Sequence, residues 1–481
     1  MSTTARRAPV GLVILAASVP AFMASLDNLV VTNALPVLAT DLNATLEQLQ
    51  WFVNGYSLAF ASMILMAVAL GDRYGRRRVF SGGIALFTFA SILCALAPTA
   101  EALIAARVLQ GIGGAALMPL SLAILASNVS ERMRPMAIGI WGGVAGLGVA
   151  VGPLVGGAVV EGMSWHAMFW LNVPVGILAL MLIRAYLTES RGARAPLDIV
   201  GLGLGMAGVF GVVFGIIRGN EAGWTSGQVL AGLVGGSVLL AGFVAWERRR
   251  DDALLPMRLF RDRSFSVANV VGVMFSIGIL GAVFILIQFL QVVQGKSPLE
   301  AGVMTMPWTM APLVVAPLTG LIAPRVGTRA LVTAGVSSQA VGLAWIGLVL
   351  DPSVAYGALV PGFVLCGVGM GLVFAPLATA VLAHMSEADQ AKASGTNATL
   401  REIGVALGIA ILTAVFTGAG GELTPTGYTD AAQTAVLVGA AILAVTVMVA
   451  TLLPRRSDQP TVAARDDAAD APAEAPALIP A

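Results

Sequence analysis

The chain has 481 residues, of which 57% are hydrophobic and 11% charged, and its formal net charge is +1. Soluble domains carry about a quarter charged residues, so this composition, with a mean hydropathy of +0.88, excludes a water-soluble globule and indicates a polytopic membrane protein. The near-neutral balance offers no basic face for nucleic acid, and Cys94 and Cys366, each alone in an apolar stretch, exclude a disulfide framework and a Cys/His metal site.

Fourteen apolar runs separated by short polar turns are long enough to cross a bilayer as helices: 10–36, 48–70, 79–98, 101–127, 136–160, 168–187, 197–218, 227–246, 265–293, 301–323, 329–350, 354–383, 393–418 and 431–453. The first follows Arg6 and Arg7, is too long for a signal-peptide core and lacks a small-residue cleavage site, so it reads as a retained helix. An even count returns both termini to one side. The arginines at 73–78, 248–250, 258–263, 325 and 329 all fall on that side, whereas the opposite connections carry acids such as Glu47, Glu101, Glu161, Glu300 and Asp351. The positive-inside rule makes the arginine-rich side, and both termini, cytoplasmic. Lysine occurs only at 296 and 392 while alanine and glycine abound, a bias that suggests a GC-rich bacterial genome.

The expected fold class is an all-α polytopic membrane protein of two six-helix bundles plus two inserted helices. The bundles span 1–190 and 256–454, the inserted helices lie in 191–255, and 455–481, an Ala/Pro/Asp/Glu tail, is expected to be disordered. The halves resemble each other in sequence. Pro119–Ala126 aligns with Pro376–Ala383, and the turn Gly71–Gly75 aligns at nearly the same offset with Ala323–Gly327. Parallel repeats of this kind belong to transporters whose halves rock about a midplane site.

The first span carries Asp27, in Leu26-Asp27-Asn28-Leu29-Val30-Val31-Thr32-Asn33-Ala34-Leu35-Pro36. An acid near a helix centre costs roughly 2.5–3.5 kcal/mol on insertion scales, and intramembrane acids generally mark proton or ion pathways. The plainer reading is a helix-joining hydrogen bond. Span four carries Arg107 in Arg107-Val108-Leu109-Gln110-Gly111-Ile112-Gly113-Gly114-Ala115, and an arginine stays charged and needs a partner. Counting from the ends of their helices at 1.5 Å per residue puts Asp27 and Arg107 within roughly one turn in depth, close enough to pair directly or through water. Arg401 and Glu402 lie roughly 13 Å above Lys392 in span thirteen. Glu402 is the second candidate for protonation, or else it neutralises a neighbouring charge.

Further motifs follow. The turn Val68-Ala69-Leu70-Gly71-Asp72-Arg73-Tyr74-Gly75-Arg76-Arg77-Arg78 places Asp72 and Arg73 before Gly75, a residue suited to a tight turn, and Arg76 and Arg77 after it. Asp72 there can cap a helix or bind arginines, latching that side; the bland reading of the arginines is a topology signal. In span five, Gly148, Gly152, Gly156 and Gly157 surround Pro153 in Gly148-Val149-Ala150-Val151-Gly152-Pro153-Leu154-Val155-Gly156-Gly157. Glycines four apart permit close helix approach, and the proline bends the helix.

Together with Trp165-His166-Ala167-Met168-Phe169-Trp170-Leu171-Asn172-Val173-Pro174-Val175-Gly176, these stretches resemble the major facilitator superfamily and, within it, the fourteen-helix drug:proton antiporters. The resemblance covers about Pro9 to Leu453. It departs at Val68, where the family has glycine, and at His166, where arginine is usual. The resemblance implies that Arg107 serves proton transfer, that the GP-xx-GG run marks an antiporter, and that no cofactor is needed because the proton gradient drives transport. The expected partners are a small lipophilic substrate, protons and the bilayer, with the protein a monomer. Arg107 has an apolar counterpart in the second half, so coupling is placed in the first.

A substrate cavity should be apolar with few polar groups. Its candidates are Trp51, Asn54, Tyr56, Gln110, Gln288, Gln291, Met306, Trp308 and Phe374, each of which alone fits an ordinary packing role. The expected activity is export of lipophilic or cationic drugs in exchange for protons across the bacterial cytoplasmic membrane. A dedicated exporter of one endogenous metabolite uses the same motifs, and a non-transporting membrane sensor is the more distant alternative. No nucleophile–histidine pair and no phosphate-binding Gly/Lys loop appears, so neither enzymatic catalysis nor ATP-driven transport is expected.

Overall fold

The computed structural model describes residues 9–455 except 193–197, 251, 252, 254, 386, 425 and 426. From residue 456 on, the expected tail lies outside the described residues, as do Arg6, Arg7 and Arg194. All regular structure among the described residues is helical.

The first half comprises α1 (Val10–Asp41), α2 (Leu46–Tyr74), α3 (Arg76–Ala95), α4 (Ala100–Gly114), α5 (Leu117–Asn128), α6 (Arg134–Gly162), α7 (Trp165–Trp170) and α8 (Asn172–Tyr186). An inserted hairpin follows, α9 (Ile199–Ala222) and then α10 (Gly227–Leu230), which runs through a π turn into α11 (Gly236–Glu247). The second half comprises α12 (Arg263–Gln288), prolonged by a π turn at Phe289–Val293, then α13 (Pro298–Met304), α14 (Met306–Val326), α15 (Thr328–Val349), α16 (Tyr356–Leu382), α17 (Glu387–Gly418) and α18 (Thr429–Ala450). Among the described residues, thirteen helices are long and apolar enough to cross a bilayer, and the bent α6 brings the number to fourteen. We call the end where α1 begins the near end and the opposite one the far end.

Local chemistry sets the helix limits. Thr45 with Gln48 and Ser297 with Glu300 form reciprocal capping boxes at the far-end starts of α2 and α13, each satisfying two otherwise unpaired N–H groups. Asp262 accepts from Phe265 N to start α12. At the near end α2 stops at Gly75, whose φ of +114° suits glycine, and α14 stops in the same way at Gly327, φ +88°. The sequence repeat thus extends to backbone conformation at an offset of 252 (327 − 75).

Packing repeats as well. In the first half α1 packs on α6 and α8, α2 on α4, and α3 on α4 and α8; in the second α12 packs on α17 and α18, α14 on α16, and α15 on α16 and α18. The halves meet where α2 faces α17 and where α6 faces α13 and α14, and α9 lies along both α2 and α17. The hairpin is fastened there by Arg218 to Glu47, 3.0 Å, by Asn220 to the Ala414 carbonyl, and by Phe210 against Trp51, ring centroids 5.4 Å apart.

The two ends differ along α6. At the far end a Cβ on Gly157 would overlap the backbone of Pro298 and Leu299, and one on Gly302 the backbone of Pro153. Toward the near end a Cβ on Gly139, Gly142 or Gly143 of α6, or on Gly320 of α14, would meet nothing within 4 Å. The halves are pressed together backbone to backbone at the far end, and none of these four glycines takes part in such a contact. Between Met136–Gly148 and Ala150–Gly162 α6 bends by 40°. The bend sits four residues before Pro153, where the ring crowds a carbonyl and the ladder lacks one N–H.

Candidate functional site

Glycines deliver the central charge to its partners. A Cβ on Gly111 would overlap the Tyr56 carbonyl of α2, and one on Gly113 the backbone of Phe87 in α3. Because α4 is wedged this closely between α2 and α3, Arg107, one turn earlier, is fully buried. Its Nη1 donates to Asp27 Oδ2 at 2.6 Å and to Gln110 Oε1 at 2.5 Å, while its Nε donates to the Phe52 carbonyl at 3.0 Å. The guanidinium also lies over the Tyr56 ring, 4.3 Å from its centroid, a cation–π contact that gains strength where water is excluded.

Asp27 is 3% exposed. Its Oδ1 accepts from Gln110 Nε2 at 2.9 Å and from Asn172 Nδ2 at 2.8 Å. Both amides continue to Ser91 Oγ, at 2.9 and 3.4 Å. The carboxylate thus receives three donors from α4 and α8, and every group in the network belongs to the first half. Arg107 Nη2 has no hydrogen-bond partner among the described residues. An ion pair sealed in this way is held by geometry: removing either member strands a buried charge, at a cost of about 3–5 kcal/mol. Protonating Asp27 cancels its charge, after which the guanidinium still has Gln110, the Phe52 carbonyl and the Tyr56 ring to hold it.

Glu402 lies in the second half on α17, 8% exposed. Its Oε1 is 3.7 Å from Arg401 Nη2, and its Oε2 is buried with no hydrogen-bond partner. Adjacent helical positions point apart, yet the length of the arginine lets it curl back to its neighbour. Arg401 also lies over Phe374, 5.8 Å from the ring centroid.

At the near-end turn, Asp72 at the end of α2 binds Arg76 at the start of α3 across Gly75, at 2.7 Å. Arg77 N donates to Glu189 Oε1 at 2.8 Å, Arg77 Nη1 to the Leu187 carbonyl at 3.0 Å, and Arg76 N to the Ser190 carbonyl at 2.8 Å. The turn is therefore stapled to the segment that follows α8. Arg73 is exposed and lies over Tyr74.

The remaining candidates scatter. Asn54 is fully buried with both amide atoms unpaired, and Gln288 donates to the Phe284 carbonyl of its own helix while Oε1 stays unpaired. Trp51 faces the inserted hairpin, Trp308 packs near Phe363, Phe374 meets Phe275 edge-on, and Met306 is half-buried. Gln291 donates to the Asn33 carbonyl at the far end. In α6, Gly148 abuts Phe22 and Ser25, Gly156 abuts Val30, Gly157 faces α13, and Gly152 is buried. Sequence reasoning did not single out Ser91, Asn172 or Asn33 as site residues. Asn33 and Asn172 belong to the Leu26–Pro36 and Trp165–Gly176 motifs, whereas Ser91 is a lone hydroxyl in an apolar helix with no signal beyond its polarity.

The family model described as Major Facilitator Superfamily matches residues 18–198 and 199–409. The chain belongs to the major facilitator superfamily. It is 33% identical over 420 residues to the tetracenomycin C resistance and export protein of Streptomyces glaucescens, covering 87% of this chain and 78% of the relative. It is 36% identical over 408 residues to the multidrug resistance protein Stp of Mycobacterium tuberculosis (strain CDC 1551 / Oshkosh), covering 84% and 75%. The fold matches the crystal structure of the POT family transporter PepTSo with a TM-score of 0.68 at 15% identity, over 92% of this chain and 97% of that one. Membership places this major facilitator chain among transporters, and its fourteen apolar helices set it in the membrane.

Proposed function

We propose that this major facilitator protein is a proton-coupled antiporter that exports lipophilic or cationic drugs or antibiotics across the bacterial cytoplasmic membrane, with the near end and both termini cytoplasmic. The observation that carries the reading is the sealed Asp27–Arg107 pair at 2.6 Å. A buried acid held by an arginine that keeps other partners can change protonation without dismantling its surroundings. Substrate enters from the near end while Asp27 is ionised. A proton arriving from the far side neutralises Asp27, loosens Arg107 and resets the carrier, so the proton gradient suffices as the energy source. Glu402, with one unpaired oxygen and a place on α17 facing α2, is the second candidate for a proton or for a cationic substrate. The 1–190 and 256–454 units act as two rocking bodies, and one chain with its surrounding lipid forms a complete carrier.

A dedicated exporter of one endogenous compound is the second reading. It is favoured by relatives named for single compounds, such as the cephamycin export protein CmcT of Amycolatopsis lactamdurans, 36% identical over 410 residues. Purified protein in liposomes under an imposed proton gradient, offered ethidium and a panel of neutral lipophilic compounds, separates the two. Gradient-driven movement of several unrelated compounds, lost in Asp27→Asn, is expected for the multidrug antiporter. Movement of none by folded protein points to a dedicated substrate, and retained coupling in Asp27→Asn moves the proton site to Glu402.

A further inference from the structure

At the far end the two halves are joined by a side chain that the translocation site does not use. Asn33, six residues beyond Asp27 on α1, is fully buried. A carboxamide has two N–H donors and one acceptor oxygen, and all are engaged. Nδ2 donates to the Pro153 carbonyl of α6 at 3.0 Å and to the Pro298 carbonyl of α13 at 2.8 Å. From the π turn after α12, Gln291 Nε2 donates to the Asn33 main-chain carbonyl at 2.8 Å and to Asn33 Oδ1 at 3.2 Å. One amide thus bonds to both halves, and the reply from Gln291 crosses the same boundary.

The surroundings are built for this. Gly156 lets α6 touch α1 at Val30, while Gly157 and Gly302 let α6 and α13 meet backbone to backbone on either side of Asn33. At the rim Leu299 N adds a bond to Glu161 Oε2 at 3.3 Å. Among the described residues, Gly139, Gly143 and Gly320 make no such close approach between α6 and α14. Separating the halves at the far end must break the Asn33–Pro298 and Gln291–Asn33 bonds and expose their buried polar groups, while leaving every bond at Asp27 intact because that network lies within the first half.

We propose that Asn33 and Gln291 form the clasp that holds the far-end gate shut, so that its release, distinct from any event at Asp27, sets how often the far side opens. This rests on the alternating-access reading above.

The test uses the full chain in lipid nanodiscs with spin labels at Met163→Cys and Ala355→Cys, both exposed far-end positions on opposite halves; the native thiols are buried. Electron–electron double resonance is compared between the unsubstituted clasp, Asn33→Asp, which keeps the shape and loses the donors, and Gln291→Leu, which removes only cross-half bonds. With the clasp intact, one short-distance population is expected. Each variant is expected to raise the long-distance population about 5- to 30-fold, as the loss of one or two net hydrogen bonds implies. Unchanged distributions in variants that melt cooperatively overturn the proposal, and Gln291→Leu decides alone if Asn33→Asp does not fold. The distances require neither substrate nor gradient. A widened far end in a protein whose transport is indifferent to the proton gradient therefore sinks the antiport reading and leaves the clasp standing, whereas unchanged distances in a protein with gradient-driven transport do the reverse.

Discussion

Asp27 and its donors define what single residues do here. Arg107 serves an acid, an amide oxygen, a main-chain carbonyl and a ring at once, and a lysine, with one compact ammonium, cannot reach them together. Arg107→Lys is therefore expected to lower stability by about 1–3 kcal/mol and to cut gradient-driven transport more than tenfold, read by thermal melting and liposome flux. Asn172→Ala removes one of three donors to Asp27; about 1–2 kcal/mol of stability and only part of the flux should go, because Arg107 and Gln110 remain. Charge made Asp27 and Arg107 visible in the sequence, since an ionised group in an apolar run demands an explanation. Counting residues brought them within about a turn in depth. The donor Asn172 and the acceptor Ser91 behind it were not visible in that role, because neutral polar side chains cost little in a membrane helix. Arg401 and Glu402 show the opposite limit: the one-residue offset separates their Cα–Cβ directions, yet a long side chain closes the gap to 3.7 Å.

At the scale of the element, α6 shows how one glycine pattern serves two neighbours. Gly148 and Gly156 are eight residues apart, a little over two turns, and both meet α1; Gly157 is rotated by one position and meets α13. Gly156→Leu should thus loosen a contact inside the first half, costing about 1–3 kcal/mol by overpacking and reading out as a lower melting temperature. Gly157→Leu should instead hold the far ends apart, abolishing transport in a protein that still melts cooperatively. The Gly75 turn gives a third expectation. Alanine at φ +114°, with the Glu189 carboxylate within 3 Å of the new Cβ, should destabilise by more than the roughly 0.4–1 kcal/mol that the same replacement gains where the backbone tolerates it, read by the same melt. The glycine spacing and Pro153 announced close approach and a bend, but spacing carries no information about which helix approaches which face.

For the whole molecule, hydropathy and the repeat were sufficient to read fourteen helices and two related halves, because a bilayer leaves a chain few options. The contact order among helices, the closed far end and the placement of the hairpin depend on tertiary packing that periodicity does not encode. Charge placement on the connections is the whole-chain signal that bears on orientation. Cysteines introduced at Ala355 and at Arg78, exposed at opposite ends, test it: an impermeant maleimide added to intact cells should label the first and spare the second, and the reverse would invert the topology.

The hairpin α9–α11 has a further consequence. It packs along the seam between α2 and α17 and makes no comparable contact with α6 or α14 among the described residues. The two seams between the halves are therefore unlike: one is overlaid by two extra helices, and the other presents the exposed glycines Gly139, Gly142, Gly143 and Gly320. Thinning or thickening of the surrounding bilayer should accordingly strain the two flanks of the molecule unequally.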